Sequence, residues 1–196
     1  ADLTLYSDVQ RIIKPYDIII QAAANTTGVK DVVERPYVHV TDNAIMNSLL
    51  LRACYENHVK KFIFFSCTVM YQTKSEPYVK EMLVETDFNP AEEIVSGYFG
   101  VGWTKVYIEK MCEFYSRLGR TNHYVLRHSN IYGPYDKFDL ENSHVFGATI
   151  NKVLDGESDE ISIWGDGEEL RDLLYISDLV DAVRKIIELK SDCAYI

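Results

Sequence analysis

Arg127-His128-Ser129-Asn130-Ile131-Tyr132-Gly133-Pro134 follows directly on the apolar run Tyr124-Val125-Leu126. A strand thus runs straight into a polar cluster and breaks at Gly-Pro. Extended chain is expected again at Ile161-Ser162-Ile163-Trp164, with a hairpin turn at Gly165-Asp166-Gly167 and the pair Arg171-Asp172 beyond it. This pattern sets polar groups at the carboxyl end of a strand, where open α/β sheets bind their ligands.

Working outward, Asp17-Ile18-Ile19-Ile20-Gln21 reads as a buried strand, being continuous and β-branched. It ends in Ala22-Ala23-Ala24-Asn25, small residues that let another group approach the backbone. Phe62-Ile63-Phe64-Phe65 is a second strand of the same kind. Apolar Ala44, Ile45, Leu49, Leu50 and Ala53 recur near helical spacing and predict a helix over 41–57, with Thr41 or Asp42 as cap. Val106, Ile108, Met111, Phe114 and Tyr115 predict another over 102–118. Helices are also expected over 144–154 and 178–189, the latter capped by Ser177, with Leu173–Ile176 extended before it. Thr73 to Gly97 is polar, carries Pro77 and Pro90, and reads as a long loop, a feature usually tied to function. Alternation of strand and helix at these lengths implies parallel pairing in right-handed βαβ units.

The 196 residues are 47% hydrophobic and 26% charged, a globular composition. The net charge of −10 argues against a nucleic-acid partner, because phosphate binding needs clustered Lys and Arg. No apolar stretch approaches the roughly 20 residues of a membrane helix, and no signal peptide opens the chain. Cys54, Cys67, Cys112 and Cys193 are scattered, without a zinc or CxxC spacing, so no metal is expected and reduced thiols in a cytoplasmic protein are.

The polar cluster at 127–134 and the helix Gly102-Trp103-Thr104-Lys105-Val106-Tyr107-Ile108-Glu109-Lys110-Met111-Cys112-Glu113 together resemble the extended short-chain dehydrogenase/reductase family of nucleotide-sugar epimerases, dehydratases and reductases. Within it the wording is most similar to the GDP-fucose synthase branch. The resemblance runs from Asp2 to about Leu189 and implies an α/β fold: a Rossmann-like doubly wound parallel sheet with a small C-terminal substrate-binding portion. Residues 1–132 would be a partial NAD(P)-binding domain lacking its first βαβ unit. Residues 133–196 would be substrate-binding elements with returning sheet and helix segments. Neither end matches the family's limits, and no GxxGxxG or GxGxxG occurs, so a fragment truncated at both ends is expected.

The resemblance also implies a chemistry. The family's redox step uses a Ser or Thr after a strand, and a Tyr one helical turn before a Lys. The ammonium lowers the Tyr pKa and binds the nicotinamide ribose, while the Tyr exchanges a proton with the sugar. Lys105 occupies the Lys position, but Val101 stands where the Tyr belongs and Cys67 where the Ser or Thr belongs. Thr68 or Tyr98 is then the relocated donor, with Ser66 flanking on the cofactor side. By itself Lys105 reads first as a helix-surface lysine, and the resemblance shifts the reading to the site. His144 follows Asn142-Ser143 as the branch's acid/base histidine follows its Asn-Ser pair, and histidine suits proton transfer near neutrality. It also reads as a capping or packing residue. The branch's Cys falls on Val69, leaving Cys67 as the nearest thiol.

Lys152, Trp164 and Arg171 fall where the branch holds the nucleotide diphosphate, Arg bidentately and Trp as a flat apolar wall. Trp164 also reads as a core aromatic, and Arg171 as an ion-pair partner of Asp172. For the cofactor, NAD or NADP, the resemblance points to Asp2 and Leu3 beside the adenine, to Ala22, Ala23 and Ala24 along the adenosine and ribose, and to His128, Ser129 and Asn130 on the nicotinamide side. Lys105, Asn130 and His144 would then face one crevice. The implied substrate is a GDP-linked hexose or heptose. The implied assembly is a homodimer through the helices at 41–57 and 102–118. The alternative left by Val101 and Cys67 is a silent relative that still binds a nucleotide and serves as a sensor or partner subunit.

Overall fold

The computed structural model describes residues 1–25, 35–71, 83–138, 140, 143–154, 160–162, 167 and 171–190. Among the described residues three parallel strands form the main sheet in the order β1 (Ile18–Gln21), β2 (Lys61–Cys67) and β3 (Asn122–His128). Ile18 is paired with Lys61, and Lys61 with Asn122, so the strands start level. Cys67 and His128 are paired at the far end. The polar cluster after β3 is itself a strand, β4 (Asn130–Tyr132), parallel to β5 (Leu173–Tyr175) in a second, two-stranded sheet. Ile161 and Ser162, expected in a strand, have no regular structure. The rest of that segment and most of its turn lie outside the described residues. Gly167 does have the positive φ, +85°, that such a turn asks for.

Helices α1 (Tyr6–Ile13), α2 (Pro36–Glu56) and α3 (Phe99–Arg117) pack with the main sheet, and α4 (Val145–Leu154) and α5 (Ile176–Glu188) follow. The sequence reading missed α1, although Val9 and Ile13 are one turn apart and fully buried. α2 begins five residues before the expected cap at Thr41. It opens at Pro36, whose fixed φ and missing N–H suit a first helical position. α3 begins at Phe99, not Gly102, so both Gly100 and Gly102 lie inside the helix. Packing explains them. A Cβ at Gly102 would stand 2.8 and 2.9 Å from the Ile94 side chain, and one at Gly100 would stand 2.8 Å from Val40 Cγ2. Bulk is excluded at both, and that constraint overrides their poor helix propensity. Likewise α5 starts at Ile176, with Tyr175 rather than Ser177 as its cap.

One core cluster joins Val9 and Ile13 of α1, Leu50, Leu51 and Cys54 of α2, Phe62 and Phe64 of β2, and Ile108 and Cys112 of α3. Each fully buried large side chain in it contributes about 1.5–3 kcal/mol. A smaller cluster joins Met70, Tyr71, Ile94 and Val106, with Phe88 and Trp103 against it. It holds the 83–98 segment beside the carboxyl end of β2. α2 ends with His58 at φ +57°, the His58 N–H reaching the Tyr55 carbonyl and the Val59 N–H reaching that of Cys54. This pair of hydrogen bonds closes the helix and turns the chain into β2. Gly119 does the same work after α3, at φ +78°. Lys61, at the start of β2, donates to the carbonyls of Ile186, Ile187 and Leu189 and so fastens the end of α5.

Candidate active site

The three strand ends present Gln21, Cys67 and His128 along one edge. Lys105 reaches this edge from α3. Its Nζ donates to the Phe65 carbonyl at 2.7 Å and lies 4.7 Å from the centroid of the Phe64 ring. It is therefore not a helix-surface lysine. Burial pushes its pKa below the usual lysine value, against the pull of Cys67 and Glu109. The Cys67 thiol beside it is pushed up by burial, with the ammonium drawing it back. His128 is pushed down, first by burial and further by Lys105, against the hydrogen bond to Ser129. Its Nδ1 lies 2.8 Å from the Ser129 carbonyl, which can only accept. Nδ1 thus carries the proton of the neutral ring and Nε2 is left as an acceptor. Its ring packs edge-on to Phe65, centroids 6.1 Å apart.

This brings Lys105, Cys67 and His128 together, a cation of reduced proton affinity beside a thiol and a neutral imidazole. Such a trio can hydrogen-bond hydroxyl groups, favour an oxyanion and pass a proton. Thr68 begins a short 3₁₀ turn, Thr68–Met70, immediately after Cys67. Ser66 is fully buried, and its Oγ has no hydrogen-bond partner among the described residues. Val101 is half-buried one turn before Lys105 on the same helix. Tyr98 caps that helix from outside and is 49% exposed.

Ala22, Ala23 and Ala24 follow β1 and are exposed. They are pinned to α2: Gln21 Nε2 donates to Asn47 Oδ1 at 3.1 Å, while Asn43 accepts from the Asn25 N–H at 2.8 Å and donates to the Asn25 carbonyl at 3.0 Å. Asp2 accepts from the Thr4 N–H and hydroxyl and caps its own turn, and Leu3 packs on the core. The backbone N–H and the side chain of Asn130 both donate to the Asp172 carbonyl, drawing β4 and the Arg171–Asp172 segment together. Arg171 is exposed. Lys152 donates to the Ser162 carbonyl at 2.6 Å. His144 is exposed just ahead of α4, and none of the described contacts of Lys105 involves it. Trp164 lies outside the described residues.

Sequence reasoning missed Glu109 and Arg127. Glu109 is 4% exposed and lies one turn after Lys105. Arg127, beside His128 on β3, donates to it from Nη2 at 2.7 Å and from Nε at 3.1 and 3.2 Å. Its Nη1 donates to Tyr71 Oη at 3.1 Å and to the Glu85 carbonyl at 2.9 Å. Burial opposes the guanidinium charge, yet the bonds to Glu109 and Tyr71 prevail and raise its pKa. The signal was available in part, since a Glu four residues after the Lys shares its helix face.

The sequence model of the NAD dependent epimerase/dehydratase family matches residues 1–194. The chain belongs to this family. Among epimerase/dehydratase relatives, GDP-L-colitose synthase of Yersinia pseudotuberculosis is 30% identical over 171 residues, 85% of this chain and 54% of the relative. GDP-L-fucose synthase of Sinorhizobium fredii is 29% identical over 202 residues, 100% of this chain and 62% of the relative. The chain thus spans little more than half the length of these curated relatives. The structure of UDP-glucose 4-epimerase with UDP-glucose from Thermotoga maritima superposes with a TM-score of 0.80 at 28% identity, covering 96% of this chain and 58% of that one. The Rossmann-like parallel architecture expected of the epimerase/dehydratase family is the one found. Three of the four cysteines are described, and Cys54, Cys67 and Cys112 are all free. Among the described residues no helix is long and apolar enough to cross a membrane.

Proposed function

We propose that this chain carries the strand-edge site of an NAD- or NADP-dependent nucleotide-sugar epimerase/reductase acting on a GDP-linked sugar. The observation that supports it most is the burial of Lys105 against the Phe65 carbonyl, beside Cys67 and His128, at the carboxyl edge of the parallel sheet. The residues present fit the nicotinamide end of such a cofactor. Lys105 spends one of its three donors on Phe65, so others remain for ribose hydroxyls, and the exposed Ala22–Ala24 stretch offers small side chains beside the same edge. The cofactor, when bound, supplies or accepts a hydride. Lys105 then orients the ribose, and its charge eases loss of a proton from a neighbouring group.

The proton carrier is not Val101. Cys67, Thr68 and the Nε2 of His128 are the candidates next to Lys105, with Tyr98 a more distant one on an exposed turn. His144 would exchange protons beside the sugar ketone, which needs no hydride. Asn130, Lys152, Trp164 and Arg171 would bind the nucleotide-sugar. The GDP-sugar names of the two relatives favour that substrate class. Exposed Ile45 on α2, and Tyr107 and Phe114 on α3, suit the expected homodimer, and three free thiols suit a cytoplasmic setting.

Val101 favours a second reading, since no hydroxyl stands one turn before Lys105: a catalytically silent relative that binds the nucleotide as sensor or partner subunit. Absorbance at 340 nm with NAD(P)H and a panel of GDP- and UDP-linked sugars separates the two. Turnover supports the enzyme. Tight NAD(P)H binding without turnover supports the silent relative, and activity gained on Val101→Tyr would strengthen it. Absence of binding sinks both.

A further inference from the structure

The Arg127–Glu109 pair has no part in the chemistry above, yet it stands against Lys105. Glu109 lies on the same face of α3, near enough for its charge to act on the ammonium. A buried carboxylate needs a cation and hydrogen bonds. Lys105 is the nearest lysine on that helix face, and nothing in the spacing prevents the two from closing on each other. They do not close. Lys105 turns to Phe65, and Glu109 is taken by three contacts from Arg127. The third nitrogen of the guanidinium holds Tyr71 and the Glu85 carbonyl, and the group lies 5.6 and 5.8 Å from the ring centroids of Tyr71 and Phe88.

We propose that Arg127 is a positioning residue for Lys105: by occupying both oxygens of Glu109 it keeps that carboxylate off the ammonium and leaves Lys105 directed at the strand edge. The inference rests on the reading of Lys105 as the cofactor-side cation. It adds that a planar, forked cation is required at position 127, since a point charge cannot serve Glu109, Tyr71 and Glu85 together. Burial lowers the titration of Lys105, and Cys67 from β2 and Glu109 from its own helix act against it, while His128 from β3 is the titratable ring that feels the ammonium.

The test follows the ε-carbon resonance of Lys105 by NMR in ¹³C-lysine-labelled protein, assigned with Lys105→Arg, through a pH titration. Arg127→Met should raise the Lys105 midpoint by about one unit or more, as an opposite charge at close range does. The double variant Glu109→Gln/Arg127→Met should return it to within about half a unit of the wild type. No rise in a cooperatively melting Arg127→Met protein overturns the proposal, as does a rise that the double variant keeps. Should Arg127→Met fail to fold, Arg127→Lys is read instead: a smaller rise of the same sign supports the proposal and no rise overturns it. NADPH titration by fluorescence is the second readout. Arg127→Met should weaken binding about tenfold and the double variant should recover most of it. A purely structural role predicts equal loss in both. If the wild type binds no NAD(P)H, the functional reading fails, and the midpoint of Lys105 decides the positioning role by itself.

Discussion

Lowering the pH should destabilise this fold chiefly through His123. The ring is fully buried on β3, with Nδ1 2.9 Å from Ser116 Oγ and its face tilted against Phe62 at 5.7 Å between centroids. Nε2 has no partner among the described residues. Burial depresses the pKa from 6.5 to about 4. The unfolded chain therefore binds a proton near 6.5 that the folded chain refuses until about 4. Stability is complete above the unfolded value and drains away as the pH falls toward the folded one. At 1.36 kcal/mol per unit the full loss is about 3 kcal/mol, of which about 2 kcal/mol is spent by pH 5. Urea unfolding at about pH 7.5 and about pH 5 measures it, with Ser116→Ala/His123→Leu as the control that removes both polar partners together. His128, also depressed, and the carboxylates contribute to both proteins and cancel in the comparison. The wild type should lose about 2 kcal/mol more than the control over this interval. Equal losses would refute the reasoning.

Two further outcomes follow from packing and capping. Gly102→Ala should destabilise by about 1–2 kcal/mol by urea titration, because overpacking against Ile94 outweighs the gain in helix propensity of up to about 1 kcal/mol. Lys61→Met should cost about 1–3 kcal/mol, and amide exchange should quicken along α5, as three carbonyls at its end lose their donor.

The strands were legible because Ile18–Ile20 and Phe62–Phe65 are unbroken β-branched or aromatic runs, but only β2 is buried as such a run implies: in β1, Ile18 and Ile19 are half-buried and Ile20 is 45% exposed. The second sheet was not legible, since Asn130–Tyr132 is short and polar at its start and finds its partner more than 40 residues later. The start of α3 was read late, at Gly102, because the contacts that admit Gly100 and Gly102 to the helix, with Val40 and Ile94, are set by packing and not by the local sequence. In the site, Lys105 was legible from its helix, and Cys67 and His128 from their positions at strand ends. Arg127–Glu109 was not, because the partners are 18 residues apart and meet only when α3 lies across β3.

Asn43 grips the Asn25 backbone on both its N–H and its carbonyl, and Asn47 meets Gln21 one turn further along α2. The segment leaving β1 is thus hung from a helix by amides instead of being stitched into a sheet. A small roll of α2 would carry Ala22–Ala24 with it, as a lever carries a latch. If α2 seats the proposed second subunit, the act of pairing and the shape of the proposed cofactor wall become one mechanical event.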